Sequence, residues 1–357
     1  MTRPRGGAKR DRMSQTAPLR LLLDGSALVA NWRWLAAQNR GAACGAAVKA
    51  DGYGLGARDV VARLVHAGCG DFFCATWAEA AALGDMPGGA RLSVLHGVRA
   101  EDMAQALSSR ARPVLNSVEQ VARWREAGGG ACDVMVDTGM NRLGLGIEEV
   151  MNGALDGLRI DTLMSHLACA DEPDHPLNRL QLAAFQALRE QIPAERYSLA
   201  NSAGILLGRD YAFDLTRPGI ALYGGVPVPA ATGIRPVVAV EAQVLQVRSV
   251  RAGETVGYGA TWTAPAEAKV AILNLGYADG YMRLFQPGAF ALAGERKLPL
   301  VGRVSMDLIA VDIEDADISE GDWLGLDFDL PRLSARSGLS QYELLTGLNQ
   351  RFERRWA

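Results

Sequence analysis

The sequence predicts an α/β chain: a (β/α)8 TIM-type barrel followed by a mostly β C-terminal domain. Three observations predict it. Short apolar runs recur between residues 44 and 224, and Ala-, Leu-, Glu- and Arg-rich stretches with helical spacing separate them. Polar residues close nearly every run, as expected where strands end at the mouth of a barrel. After Arg235-Pro236 the rhythm becomes short β-rich runs with Gly-containing turns.

In order, the barrel runs cover residues 44–49, 72–77, 91–96, 113–116, 132–137, 161–166, 197–201 and 213–217. Helical stretches at 57–67, 79–83, 118–126, 147–155 and 177–191 lie between them. Eight such units make a closed barrel, whereas an open doubly wound sheet would want a GxGxxG after the first strand, which is absent. An early strand at 19–24 could serve either domain; the expected barrel segment is 19–235. Residues 227–236, rich in Pro and Ala, read as a linker, and 236–357 as the β domain. Residues 1–18, rich in Arg, Lys and Gly, are expected to be a flexible tail. They hold no apolar stretch of a secretory signal, and Met13 is an alternative start.

Composition narrows the function. A formal charge of −3 gives no reason to expect nucleic acid or an anionic membrane surface as partner. No apolar run reaches the length of a membrane span. The cysteines at 44, 69, 74, 132 and 169 are odd in number and form no CxxC pair. Three lie in predicted buried strands, which suits reduced thiols and a cytoplasmic protein, and no metal site is expected.

The chemistry concentrates at the strand ends. Lys49 closes the run Ala46-Ala47-Val48 and precedes the turn-rich segment Ala50-Asp51-Gly52-Tyr53-Gly54. Poor solvation there lowers an amine's proton affinity, and a neutral amine forms Schiff bases. Snorkelling to water is the plainer alternative. The loops Asn201-Ser202-Ala203-Gly204 and Arg217-Pro218-Gly219-Ile220 follow strands 7 and 8, where barrels often bind phosphate. Ser202 would offer its hydroxyl, Gly219 and Ile220 their amides, and Arg217 would lie near the barrel axis; ordinary turn chemistry competes with that reading. Arg142 stands five residues beyond the fifth strand's end and can reach a bound carboxylate; its alternative is a surface ion pair. His166 closes strand 6, a place where a hydrogen-bonded core histidine is also common. In the β domain, Tyr258 lies between Gly257 and Gly259, which exposes its phenol.

These segments, with Gly276-Tyr277-Ala278-Asp279-Gly280-Tyr281, Gly302-Arg303-Val304-Ser305-Met306-Asp307 and Gln341-Tyr342-Glu343-Leu344-Leu345-Thr346, resemble the alanine racemases in family order. The resemblance implies pyridoxal 5'-phosphate as cofactor and a small amino acid as substrate. It implies Lys49 as the cofactor's covalent anchor and as one base, with Tyr258 as the base on the opposite face. A homodimer with shared active sites follows from it. Arg217 would face the pyridine nitrogen and His166 would tune Tyr258. Arg142 would orient the cofactor and the substrate carboxylate. Tyr53, Ser202, Gly219 and Ile220 would hold the phosphate, and Met306 would bind the substrate carboxylate. Asp171, Tyr277 and Arg283 would line the entry corridor. D-alanine for peptidoglycan would be the product in use.

Three departures accompany the resemblance. Met135 stands where many members carry a carbamylated lysine, so a chloride or a carboxylate beside Arg142 is expected instead. Leu55 replaces a histidine in the lysine loop. Gln350 falls where an inner tyrosine is expected, which leaves room for a broader small-amino-acid racemase. Other rivals are a non-catalytic pyridoxal-phosphate carrier, which lacks such a β domain, and a barrel decarboxylase, whose cysteine-bearing motif is absent.

Overall fold

The computed structural model describes residues 17–357. The expected tail and the alternative start at Met13 fall, apart from Ala17 and Pro18, outside the described residues. Two compact units emerge, interleaved along the chain.

The first unit holds Leu22–Ala239, Phe328–Leu348 and Trp356–Ala357. Its parallel strands run Ala46–Ala47, Asp71–Cys74, Arg91–Val94, Arg112–Leu115, Cys132–Met135, Ile160–Met164 and Arg196–Ser198, each paired with the next. The strand Leu215–Thr216 pairs in parallel with Ala43–Cys44. Backbone bonds from Asp214 to Tyr197 (3.0 Å) and from Arg217 to Ala200 (2.8 Å) join the seventh strand to the eighth. Together these bonds close the barrel. Phe73, Val114, Met135, Met164 and Leu215 pack together inside it, so the lumen is a filled core rather than a pore.

The strands' amino ends carry a ring of charge. Arg91 pairs with Asp71 at 2.8 Å, and Arg196 bridges Asp71 (3.0 Å) and Asp161 (2.9 Å). Arg112 reaches Asp161 at 3.1 Å, and Ser93 donates to the buried Asp133 at 2.5 Å. This end is locked by ion pairs, which leaves the carboxyl ends of the strands for chemistry.

The second unit holds the described residues up to Leu21, Val240–Asp327 and Asn349–Arg355. Eight strands form one sheet in which Val238–Val250 pairs with Ala268–Leu273 and with Trp323–Leu326, so the sheet curls on itself. Val250, Ala264, Val270, Val301 and Ala310 form one of its apolar clusters.

Two segments depart from a single break after residue 235. Leu19–Leu23 adds to the antiparallel sheet beside Val238–Val250 rather than to the barrel. Its burial largely alternates, as in a strand with one covered face, whereas the barrel strand Asp71–Cys74 is buried throughout. Conversely, the helices Leu330–Ser337 and Gln341–Thr346 return to the barrel unit. They are capped by Asp329 and Ser340, and the Gln341 side chain bonds both the N–H (2.8 Å) and the C=O (2.9 Å) of Val226.

Candidate active site

A cavity of about 490 Å³ opens among the barrel's strand-end loops. Lys49, Tyr53, Arg142, His166, Ser202, Arg217, Gly219 and Ile220 all line it. The strand-end rule therefore brings together eight residues that the sequence singled out from five separate loops.

Lys49 opens a short segment, Lys49–Tyr53, in which Ala50, Asp51, Gly52 and Tyr53 have φ of 52°, 52°, 63° and 57°. Side chains resist this left-handed turn, at a cost of roughly 1–2 kcal/mol per residue. Local bonds offset it: Ala50 N donates to Glu79 Oε1 at 2.8 Å, Gly52 N to Val48 O at 2.9 Å, and Ala57 N to Asp51 Oδ1 at 2.8 Å. Lys49 lines the cavity. Restricted hydration there lowers its proton affinity, Arg142 lowers it further, and Glu79 opposes both.

At one side of the cavity Tyr53 is buried and stacks on Tyr223 with 4.5 Å between ring centroids. Tyr223 in turn donates to Ala47 O at 2.8 Å. The Ser202 hydroxyl, also buried, accepts the Gly219 amide at 2.9 Å and the Ala221 amide at 3.4 Å. A Cβ at Gly219 would come within 2.1 Å of the Tyr53 hydroxyl, so only glycine lets these groups converge. The Tyr53 and Ser202 hydroxyls thus meet beside the first residue of Ile220–Tyr223, a group of donors that can take a phosphate.

Arg217 lies deep in the barrel, its guanidinium donating to Ser198 Oγ and to the Ser165 carbonyl. Burial pushes its pKa down to about 10, so it remains a cation at neutral pH. His166 has its pKa pushed down to about 3, by desolvation first and then by the positive Arg217, Arg142 and Lys49. It is therefore a neutral imidazole. Gln181 pins its loop, donating to His166 O and accepting from Ala168 N, both at 2.9 Å.

Arg142 hangs from a loop tied to Asp137, whose carboxylate accepts the amides of Gly139 and Met140 at 2.8 Å and of Arg142 at 3.0 Å. Partial burial works against the Asp137 charge, yet these amides outweigh it and hold the carboxyl below its ordinary range. Among the described residues, no ion pair joins the Arg142 side chain to a carboxylate. Met135, buried, lines the cavity.

The remaining expected residues are not among the side chains that line this cavity. Tyr258 belongs to the β unit, in the turn Tyr258–Ala260, and is 70% exposed. It borders a separate hollow with Arg303, Ser305 and Leu308. Met306 is exposed, and its carbonyl accepts the Ala278 amide at 3.0 Å. Arg283 lies 5.1 Å above the Tyr277 ring. Asp171 is an exposed residue of the barrel unit.

Sequence reading gave no site role to four residues: His96 and Tyr342, which line the cavity, Tyr223, which stacks on Tyr53, and Glu79, which bonds the Ala50 amide. The expected departure at Gln350 is corrected here. Gln350 falls in the β unit, whereas Tyr342 lines the cavity with its ring 6.2 Å from that of Tyr53. The helix carrying Tyr342 belongs to the segment that rejoins the barrel, so a tyrosine is supplied there after all.

The alanine racemase N-terminal domain pattern matches residues 23–227, and the C-terminal domain pattern matches residues 237–356. A biosynthetic alanine racemase of Agrobacterium fabrum is 41% identical, over 96% of this chain and 94% of its own length. An alanine racemase of Rhodospirillum rubrum is 44% identical, over 94% of this chain and 95% of its own. Among solved structures, alanine racemase from Bartonella henselae with covalently bound pyridoxal phosphate superposes with a TM-score of 0.87, at 36% identity over 95% of this chain and 99% of that one. The biosynthetic alanine racemase from Pseudomonas aeruginosa gives 0.85, at 35% identity over 96% and 100%.

Proposed function

The chain belongs to the alanine racemase family, and from that premise we propose that it is a pyridoxal-phosphate enzyme interconverting L- and D-alanine. The observation that carries this reading is the convergence of Lys49 with the Tyr53–Ser202–Gly219 cradle in one cavity. The cradle fits the cofactor's phosphate, because the lack of a Cβ at Gly219 lets the Tyr53 hydroxyl approach the same backbone that bonds the Ser202 hydroxyl. When bound, pyridoxal phosphate supplies the electron sink that acidifies the substrate's α-C–H.

The chain's own residues do the rest. Lys49 anchors the cofactor through its amine and, once released, takes or returns a proton at the α-carbon. Tyr53, Ser202, Gly219 and Ile220 bind the phosphate. Arg217 directs a guanidinium at the ring nitrogen and, having no proton to give up readily, leaves that nitrogen unprotonated. Arg142 orients the substrate carboxylate, with Met306 as a second contact. Neutral His166 serves as a hydrogen-bond partner. Tyr258 serves the opposite face of the α-carbon, from a second copy of the chain in a homodimer. Asp171, Tyr277 and Arg283 line the approach. We place the enzyme in the cytoplasm, making D-alanine for peptidoglycan; among the described residues no helix is long and apolar enough to cross a membrane.

With Met135 in the cavity wall, a chloride ion is the counter-charge for Arg142. Activity should rise with chloride at constant ionic strength and ignore removal of carbon dioxide; no response to chloride would remove this element. The whole reading is tested by assaying racemisation of a panel of L-amino acids by the purified protein. Alanine should lead, since Tyr342 narrows the cavity. Equal rates for serine and larger side chains would favour a broader racemase, and no racemisation would contradict the assignment.

A further inference from the structure

Glu79 is used in two places at once. It occupies the third position of the helix Trp77–Leu83, whose N-cap is Thr76. In a capping box this carboxylate serves the N-cap amide. Here that bond is the long one: Oε2 accepts Thr76 N at 3.4 Å but Ala75 N at 2.6 Å. The other oxygen, Oε1, leaves the helix and accepts Ala50 N at 2.8 Å. Ala50 follows Lys49 directly and is the first residue of the left-handed turn.

Helix capping alone does not call for that second bond. Thr76 Oγ1 already accepts the Glu79 amide at 3.2 Å, and the 75–76 amides are met by Oε2. What Oε1 adds is a charge-assisted bond to a backbone conformation that alanine adopts reluctantly. It also places a carboxylate in the field of the Lys49 amine, against the positive Arg142. The other titratable group coupled to Lys49 in the cavity is His166, which is neutral.

Building on the racemase reading, we infer that Glu79 is a positioning residue for Lys49. It holds the left-handed turn that aims the amine into the cavity and supplies the negative charge facing that amine. The lysine-served face of the α-carbon therefore depends on Glu79, and the opposite face does not.

The test compares Glu79→Gln with Thr76→Val, which weakens the same helix cap without touching Ala50. Both should melt at similar temperatures. In the cofactor-free full-length protein, the pH dependence of Lys49 acylation by an amine-selective reagent is followed by peptide mass spectrometry. Glu79→Gln should move its midpoint down by about one pH unit, roughly a tenfold change in free amine below the midpoint. Glu79→Asp, which keeps the charge, should bring it back. In the holoenzyme, the primary deuterium isotope effect on α-proton removal should rise for one alanine enantiomer only. A Glu79→Gln protein matching Thr76→Val in both the Lys49 midpoint and a symmetric isotope effect would reduce Glu79 to a helix cap. Wild-type protein that fails to racemise alanine would instead remove the parent reading, and the Lys49 titration would still decide the role of Glu79.

Discussion

Lys49 and Tyr258, the two residues assigned to the α-proton, live in opposite surroundings. Lys49 sits in a cavity whose walls come from the barrel's own loops and whose turn is held by Glu79, Val48 and Asp51. Tyr258 projects from a glycine-flanked turn of the β unit with 70% of its surface open. The amine proposed as one base has its proton affinity lowered by restricted hydration first and then by Arg142. The other is largely exposed. On the proposed two-base reading, this is the contrast expected if one copy of the chain supplies the lysine face of the site and a second copy the tyrosine face.

The largest effect should come from the lysine face. Lys49→Ala should abolish both racemisation and the visible absorbance of the bound cofactor. A retained absorbance band would put the anchor elsewhere. Next comes the tyrosine face. Lys49→Ala and Tyr258→Phe chains, each inactive alone, should recover part of the activity when co-assembled. No recovery in verified mixed dimers would place both bases in one chain and dissolve the contrast.

A smaller effect tests the cradle. Gly219→Ala inserts a Cβ within 2.1 Å of the Tyr53 hydroxyl. Overpacking of this kind costs about 1–3 kcal/mol, or roughly 5–150-fold in the cofactor's dissociation constant by reconstitution titration. An unchanged constant would show that the phosphate binds away from Gly219.

The smallest effect lies at the far end of the barrel. Burial pushes the Asp133 pKa up to about 6, against the pull of Arg112 and Ser93. Between its ordinary value and about 6, the folded chain holds a proton that the unfolded chain has lost. Asp133 thus lowers stability as pH rises through that window, and the loss is complete above it. The stability of Asp133→Asn relative to wild type, from urea denaturation, should climb by about 2 kcal/mol between pH 4 and pH 7. A flat difference would mean that the ion ring fully compensates the buried charge.

Much of this was legible in the sequence, for a physical reason. Barrel chemistry gathers at strand ends, so Lys49, His166 and Arg217 could be read from the apolar runs they close, and Ser202, Gly219 and Arg142 from the loops that follow. What escaped are residues whose role depends on long-range return of the chain or on an oxygen's second bond. Glu79 reads as an ordinary helix-capping acid, because its bond to Ala50 spans 29 residues. Tyr342 was passed over for Gln350, since nothing local says that Phe328–Leu348 leaves the β unit for the barrel. The strand Leu19–Leu23 could not be assigned to one domain for the same reason: its pairing partner lies more than two hundred residues on.

The contrast between the two bases is tested most directly by deuterium wash-in at the α-carbon, measured from each alanine enantiomer in heavy water with Tyr258→Phe. Cofactor binding should be nearly intact in this variant. Exchange initiated by Lys49 should persist from one enantiomer, while exchange from the other should fall by about 10²–10⁴-fold, the usual worth of a general acid–base. Exchange at wild-type rates from both enantiomers would contradict the account, because Tyr258 would then serve neither face.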